Sequence, residues 1–553
     1  MNTVCNTVWS KLVRSLRAFR AARAGNVAIT FALASLPVVG TIGFAVDYSR
    51  ANSIKASIQS ALDSTALMLS KDAATITNTD LQTRALAYFN SLLNNPDVSG
   101  IAVNAVYSTT GGSHLVVSAT GSVPTNFLGL IGYNNITVGG TATAAWGSSR
   151  LRVALVLDTT GSMADDGKMT ALKSSTKNLL TQLSSAASTN GDVYVSIVPF
   201  SRDVRVDGSS NYNASWIDWT DWSAPPSNAV PAATVGPGSN CPYTSRTNGF
   251  VCAPTPTSTS TTSKVPSSGT YSGYICPSVD GTTGSYYNGC YNSTTYSSTG
   301  SSATCTGHSY CTCSGSGSNK VCKTNSGYYE HAWVVNDKST WNGCITDRGA
   351  PLSTGATAPS SADYDRLVSA PVSGTAASYY PAEQYSMCTT AMMGLNYNWT
   401  AMNSMVDSLT PSGNTNQPVG LVWGWQSLVG GGPLTAPAKD PDYSYTDVII
   451  LMSDGLNTQD RWYSSQSSID KRMYDSTKSG AGTCANIKNS GVTIYTIQVN
   501  TGGDPTSTLL QNCAGSPDKL VDTSKFYMVT TANGLGAVFT EIGTNLTKLR
   551  VAN

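Results

Sequence analysis

The sequence predicts an α/β protein built on a doubly wound, mostly parallel sheet, interrupted by a large cysteine-rich insertion and preceded by a transmembrane helix and a small α+β unit. Three observations predict it. Apolar runs such as Val153–Leu157, Val193–Phe200, Val448–Met452 and Val492–Val499 alternate with stretches of helical periodicity, the pattern of buried parallel strands joined by crossover helices. The segment 204–385 breaks that alternation with a Ser, Thr, Gly, Tyr and Pro composition and nine cysteines. The first 46 residues separate into a basic stretch and an uncharged apolar one.

In chain order, residues 1–24 carry Lys11, Arg14, Arg17, Arg20 and Arg23 and no acid. Asn26 to Val46 is free of charge, and Asp47 ends the run. As a helix this run reaches about 30 Å, the thickness of a hydrocarbon core, and membrane helices tolerate a proline such as Pro37. A spanning helix over 25–46 with a basic flank implies a single-pass membrane protein, its N-terminus cytoplasmic and everything after Asp47 outside. A cleaved signal peptide is the alternative, but its apolar run is usually shorter and closes on a small-x-small site.

Residues 47–147 read as a helical stalk and a small α+β unit. Ile54, Ile58, Ala61, Leu62, Thr65, Ala66 and Leu69 recur at helical spacing, with Lys55, Gln59 and Asp63 between them. A second helix is expected over 79–94, and strands over 101–107, 114–120 and 136–145, the first two joined by a turn at Gly111-Gly112.

The doubly wound domain is expected in two parts, 150–203 and 386–552. Its first helix aligns Met169, Leu172, Leu179, Leu180 and Leu183; others are expected near 418–429, 478–490 and 533–549. The intervening 204–385 is too long for an unstructured loop inside a domain and reads as a disulfide-stapled insertion. Cys5 lies on the cytoplasmic side, leaving twelve exported cysteines, an even set that suits a disulfide framework. Zinc at Cys311 and Cys313 with His308 and His331 is the alternative, with a spacing unlike common zinc patterns.

Only 12% of residues are charged and the net charge is +1, which argues against a nucleic-acid partner. The run Gly161-Ser162-Met163-Ala164-Asp165-Asp166-Gly167-Lys168 superficially suggests a phosphate-binding loop. It has one residue too many between the glycines, no Ser or Thr after Lys168, and two acids that would repel phosphate. There is no nucleophile elbow, and three histidines give little basis for a histidine-rich hydrolytic site. The expected protein is not an enzyme and has no small-molecule substrate.

What remains is a binding site. Asp158-Thr159-Thr160-Gly161-Ser162 follows the first buried strand, setting a carboxylate and two hydroxyls at the carboxyl edge of the sheet, where ligands of open α/β sheets bind. Gly413-Asn414-Thr415 precedes a helix, and Asp454-Gly455 ends a strand. Each motif alone is consistent with ordinary turn and cap chemistry: Ser162 or Asp165 capping a helix, Asp454-Gly455 making a tight turn. Together, in this order, they resemble the metal-ion-dependent adhesion site of von Willebrand factor A domains.

By that resemblance Asp158, Thr160 and Ser162 match the family's first loop, Thr415 its second-loop threonine and Asp454 its third-loop aspartate. The family more often has serine where Thr160 stands, and the hydroxyl is kept. The resemblance implies that these oxygens hold Mg2+ (or Mn2+ or Ca2+) incompletely and that a partner's Asp or Glu carboxylate completes the shell. Asp165 and Asp166 stand where integrin β subunits carry an acidic pair for a second cation; the alternative is a pair of acids favoured by the dipole of the following helix.

The N-terminal segment resembles the TadE/TadG-like proteins of tight-adherence (Flp) pilus assembly, through Gly25-Asn26-Val27-Ala28-Ile29, the apolar run through Pro37, Ala45-Val46-Asp47-Tyr48 and the helix 53–69. Pilin-like members cut by prepilin peptidase carry Glu five residues past the cleavage point; Thr30 stands there, which argues against processing. An uncleaved anchor followed by an A domain is the TadG arrangement. Trp423-Gly424-Trp425 and the pair Cys484 and Cys513 look TadG-like too, and these two cysteines, flanking the 492–499 strand, are expected to be bonded. The resemblance implies a pilus-assembly component anchored in the inner membrane, its C-terminal domains periplasmic or surface-exposed, that binds a pilus or secretion-machinery protein; the alternative is an A-type adhesin or envelope scaffold unrelated to pili.

Overall fold

The computed structural model describes residues 24–73, 75–93, 95–109, 113–146, 149–226, 230–244, 251–278, 287–294, 297–299, 307–352, 363–441 and 443–551. The chain divides into two compact units, essentially residues 1–148 and 149–550.

The first unit begins with α1 (Ala24–Leu69), a single helix across the expected anchor and stalk. Among the described residues no helix is long and apolar enough to cross a membrane, so the expected spanning segment over 25–46 has the helical form but not this support; side chains at 24–30, 32 and 36 lie outside the described set. Phe31, Leu33, Val38, Val39 and Ile42 are exposed.

The C-terminal half of α1 behaves as its periodicity dictates. Ile54, Ile58, Ala61, Leu62, Thr65, Ala66 and Leu69 are all buried, while Lys55 and Asp63 face solvent. This stripe shares a core with Leu81, Ala85 and Phe89 of α2 (Asn78–Leu92) and with Leu115, Val117 and Ala119 of the middle strand of an antiparallel sheet. That sheet runs β1 (Ser99–Ser108), β2 (Ser113–Pro124), β3 (Asn135–Trp146) in spatial order. The Gly111-Gly112 turn lies outside the described residues. Asp47 closes the unit: its carboxylate accepts the backbone N–H groups of Asn126, Phe127 and Leu128 at 3.0, 2.9 and 2.8 Å.

The second unit is the doubly wound domain. Its elements in order are β4 (Ser149–Asp158), α3 (Lys168–Ala186), β5 (Val193–Phe200), β6 (Met393–Asn396), α4 (Trp399–Ser408), α5 (Gln417–Ser427), β7 (Ser444–Ser453), α6 (Gln466–Met473), α7 (Thr483–Asn489), β8 (Val492–Val499), α8 (Thr508–Cys513), β9 (Phe526–Val529) and α9 (Leu535–Val551). The sheet order is β6-β5-β4-β7-β8-β9, parallel throughout except for the edge strand β6 against β5. From β4 the chain winds to one side through β5 and β6, then returns past β4 to β7. The switch point therefore falls between β4 and β7, and the loops leaving those strands share one crevice.

Both faces of the sheet are covered, which is why its central strands read as unbroken apolar runs. Val153, Leu155 and Leu157 of β4 pack with Leu172, Leu179 and Leu183 of α3 and Phe539 and Ile542 of α9. Ala154 and Val156 face the other layer with Leu421, Val422 and Trp423 of α5. Gly424 is required there: a Cβ on it would come within 2.4 Å of Val156.

The insertion is not one separate body. Its base joins the domain through a small sheet ordered 204–205, 344–345, 380–383, 217–218, and Trp222, Trp341, Ile345 and Tyr380 share the core of α5. A Cys344–Cys388 disulfide ties this base. Its outer part has small cores of its own around Cys241–Cys252 and Cys276–Cys290. Cys313 is bonded to Cys322 and Cys311 is disulfide-bonded as well, so those sulfurs are not zinc ligands.

Cys484 is bonded to Cys513, joining α7 to α8 beneath β8. Beside that bridge the buried Lys488 ammonium donates to the carbonyls of Asn512 (3.2 Å), Cys513 (2.9 Å) and Leu520. Burial pushes this amine down to about 8. Lys488→Met leaves these carbonyls unpartnered and is expected to destabilise the domain by about 1–3 kcal/mol at pH 7, measured by urea unfolding. A neutral or stabilising result would mean that the apolar isostere compensates for them.

Candidate cation site at the switch point

Asp158 is the last residue of β4 and is fully buried. The chain turns sharply after it because Thr159 is pinned to β5: both its N–H and its hydroxyl donate to the Phe200 carbonyl at 2.9 Å. The turn folds the Asp158 carboxylate back onto its own loop. Its Oδ1 accepts the Thr160 N–H (2.9 Å) and the Thr160 hydroxyl (2.6 Å), and its Oδ2 accepts the Ser453 hydroxyl from the end of β7 (2.6 Å). Thr160 Oγ1 lies 3.1 Å from Ser162 Oγ, and Ser162 donates to Asp454 Oδ1 at 2.8 Å. The side chains of Asp158, Thr160, Ser162 and Asp454 thus form one hydrogen-bonded chain across the switch point.

The second loop is stitched to the first through backbone. Gly161 N–H donates to the Gly413 carbonyl (2.9 Å) and Ser412 N–H to the Thr159 carbonyl (2.8 Å). Gly413 has φ +83°, a left-handed conformation that suits glycine. Thr415 follows two residues later and is fixed by its N–H to Thr458 Oγ1 (2.8 Å). Among the described residues no hydrogen bond joins its hydroxyl to the Asp158–Asp454 chain, so Thr415 borders the site without closing it.

The ordinary cap reading does not describe these residues. The N-cap of α3 is Gly167, in a left-handed conformation and with no side-chain cap, so neither Ser162 nor Asp165 caps that helix. Asp165 and Asp166 are exposed, and Asp166 Oδ2 accepts the Thr501 hydroxyl at 2.8 Å, away from the hydrogen-bonded chain. Among the described residues no group of three or more His, Cys, Asp or Glu side chains is placed to hold a metal. The candidate site has only two carboxylates, and its other donors are hydroxyls.

The electrostatics strain one carboxyl of the site. The Asp158 carboxyl is pushed up to about 7, first by burial and then by the negative charge of Asp454, against the hydrogen bonds from Ser453 and Thr160. An all-oxygen donor set with one carboxylate strained by another fits a hard divalent cation.

Three contributors escape sequence reasoning. Gln417, opening α5, donates to Ser453 Oγ (3.0 Å) and the Gly455 carbonyl (2.9 Å), locking the third loop to the second. Ser453 orients Asp158. Lys168, the first residue of α3, is buried and reaches Asp454 Oδ2 at 2.7 Å. The contrast with a phosphate-binding loop follows: this lysine faces a carboxylate.

A doubly wound sheet with carboxylates and hydroxyls from successive loops at its switch point resembles the von Willebrand A class. More particularly, residues 25–69 match the family model described as Flp pilus-assembly TadE/G-like. A search of curated proteins gives no match. Among solved structures, similarity extends to the pilus adhesin SpaC from Lactobacillus rhamnosus GG in its open conformation, at 13% identity and TM-score 0.28, covering 82% of this chain and 34% of that one. It extends also to the von Willebrand domain of the type V pili tip protein Mfa5 from Porphyromonas gingivalis, at 11% identity and TM-score 0.29, covering 72% of this chain and 95% of that one. The PilB minor pilin from Streptococcus sanguinis is similar at 10% identity and TM-score 0.28, covering 82% and 78%. This chain spans about a third of the length of SpaC.

Proposed function

We propose that the chain is a pilus-associated envelope protein, held at the inner membrane by the N-terminal half of α1, whose α/β domain grips an acidic group of a pilus or secretion-machinery protein through a divalent cation. The observation that carries this reading is the hydrogen-bonded chain Asp158–Thr160–Ser162–Asp454, which gathers two carboxylates and two hydroxyls from separate loops at the switch point. Asp158, Thr160, Ser162 and Asp454, with Thr415 at the border, are the residues that would hold magnesium, manganese or calcium. The cation would supply Lewis acidity toward an incoming carboxylate. The protein's own part is to fix the donors: Ser453 and Thr160 orient Asp158, Thr159 anchors the turn, and Gln417 ties the third loop down. The TadE/G-like match at 25–69 supports the pilus context, and the uncharged run over 26–46 supports the anchor.

The test is calorimetry of magnesium and manganese with the full chain in detergent micelles, beside Asp158→Ala. Saturable binding by the wild type and none by the variant is expected. A folded wild type that takes up neither ion would overturn the metal-dependent part of the proposal.

A further inference from the structure

We infer that Lys168 is an internal competitor for the cation: its ammonium occupies Asp454 and must give way before that carboxylate can serve a metal. This inference rests on the divalent-cation reading above and goes beyond it by assigning a residue that sets the affinity of the site.

The placement of Lys168 is unfavourable in every respect but one. It is the first residue of a 19-residue helix, at the end where the backbone dipole favours anions and disfavours an ammonium. It is also 8% exposed, and a buried ammonium carries a desolvation penalty unless it is well paired. The compensating contact is Asp454 Oδ2, at 2.7 Å. Because Ser162 takes Asp454 Oδ1 at 2.8 Å, both oxygens of this carboxylate have protein partners. The lysine backbone is fixed by its N–H to the Asp165 carbonyl (3.1 Å), after Gly167 at φ +72°. The ammonium therefore approaches Asp454 from a set position.

The consequence is a change in the charge that an entering cation meets. With both carboxylates ionised, the pair carries two negative charges without Lys168 and one with it. A divalent ion that uses this carboxylate must displace the ammonium, and the displacement weakens binding relative to a site without the lysine. The site is thus set for weak cation uptake until something else, such as a partner's acidic group, adds negative charge.

Magnesium titration of the full chain by calorimetry, comparing wild type with Lys168→Met and Lys168→Arg, tests this. Lys168→Met is expected to bind magnesium about tenfold more tightly or better. Lys168→Arg, which keeps the charge, is expected to stay within about threefold of wild type or weaker. Magnesium should also raise the Tm of Lys168→Met more than that of the wild type, since tighter binding stabilises more. If Lys168→Met fails to fold without metal, Lys168→Gln retains a donor for Asp454 without the charge and gives the same comparison. Wild-type binding with equal or weaker binding by the neutral variants overturns the role of Lys168 alone. No binding by wild type or any variant, all folded, overturns the cation site itself and this inference with it.

Discussion

Arg472→Ala is expected to lower the stability of the α/β unit by about 3–5 kcal/mol, because it removes the one partner common to three buried carboxylates. Arg472 lies near the end of α6 and is 2% exposed. Its guanidinium reaches Asp347 at 2.9 Å, Asp365 at 2.6 Å and Asp460 at 2.8 Å. Burial pushes the Asp365 carboxyl up to about 7; Arg472 opposes the shift and Asp347 adds to it. Asp460 is raised too, by burial and then by Asp347. Without the arginine these groups must take up protons or leave the interior, and either response destabilises the fold. Arg348, 3.3 Å from Asp365, supports only one of the three.

The effect should reach the candidate site. Asp347 accepts Asn416 Nδ2 at 2.8 Å, and Asn416 caps α5 immediately after Thr415. Urea unfolding of wild type and Arg472→Ala, at equal m-values, measures the difference. A loss below about 1 kcal/mol would show that the carboxylates are solvated or protonated in the wild type.

The second large effect is on pH dependence. In chelator, the wild-type domain is expected to lose stability as pH rises from about 4 to about 7, and Asp158→Asn to lose distinctly less. The sign follows from the raised carboxyl, at about 7 in the folded protein against 3.8 for the ordinary group. Between those values the unfolded chain has released the proton and the folded chain still holds it. Each rise in pH therefore favours unfolding, and the effect is complete above the folded value. Three units at about 1.4 kcal/mol each set an upper bound near 4 kcal/mol. Asp203, raised to about 8, and Asp365, raised to about 7, contribute slopes of the same sign. The difference between wild type and variant is therefore the quantity to measure, by denaturant titration at pH 5 and pH 8. Saturating magnesium should cancel the wild-type loss, since a bound cation favours the ionised carboxylate. Parallel curves for wild type and Asp158→Asn would mean that Asp158 ionises normally.

Elements governed by local periodicity can be read from the order of residues alone. The stripe from Ile54 to Leu69 and the unbroken run Val153–Leu157 each report how many of their faces are buried, and they were legible for that reason. So was the first-loop motif, whose Asp158, Thr160 and Ser162 are neighbours in the chain and meet through a single turn. Shorter elements were not legible. The four-residue edge strands β6 and β9 are too brief to show alternation, and β6 has an irregular register against β5.

Which charges meet is a property of the winding of the sheet. Lys168 and Asp454 are 286 residues apart, and Arg472 gathers Asp347, Asp365 and Asp460 from both sides of the insertion boundary. Those pairings depend on the order β6-β5-β4-β7-β8-β9, which brings the ends of β4 and β7 together. Periodicity reports burial of one element at a time and carries no information on which distant loop will lie beside it. A buried lysine at a helix start is therefore unremarkable in the sequence and becomes a counter-ion only once the sheet is wound.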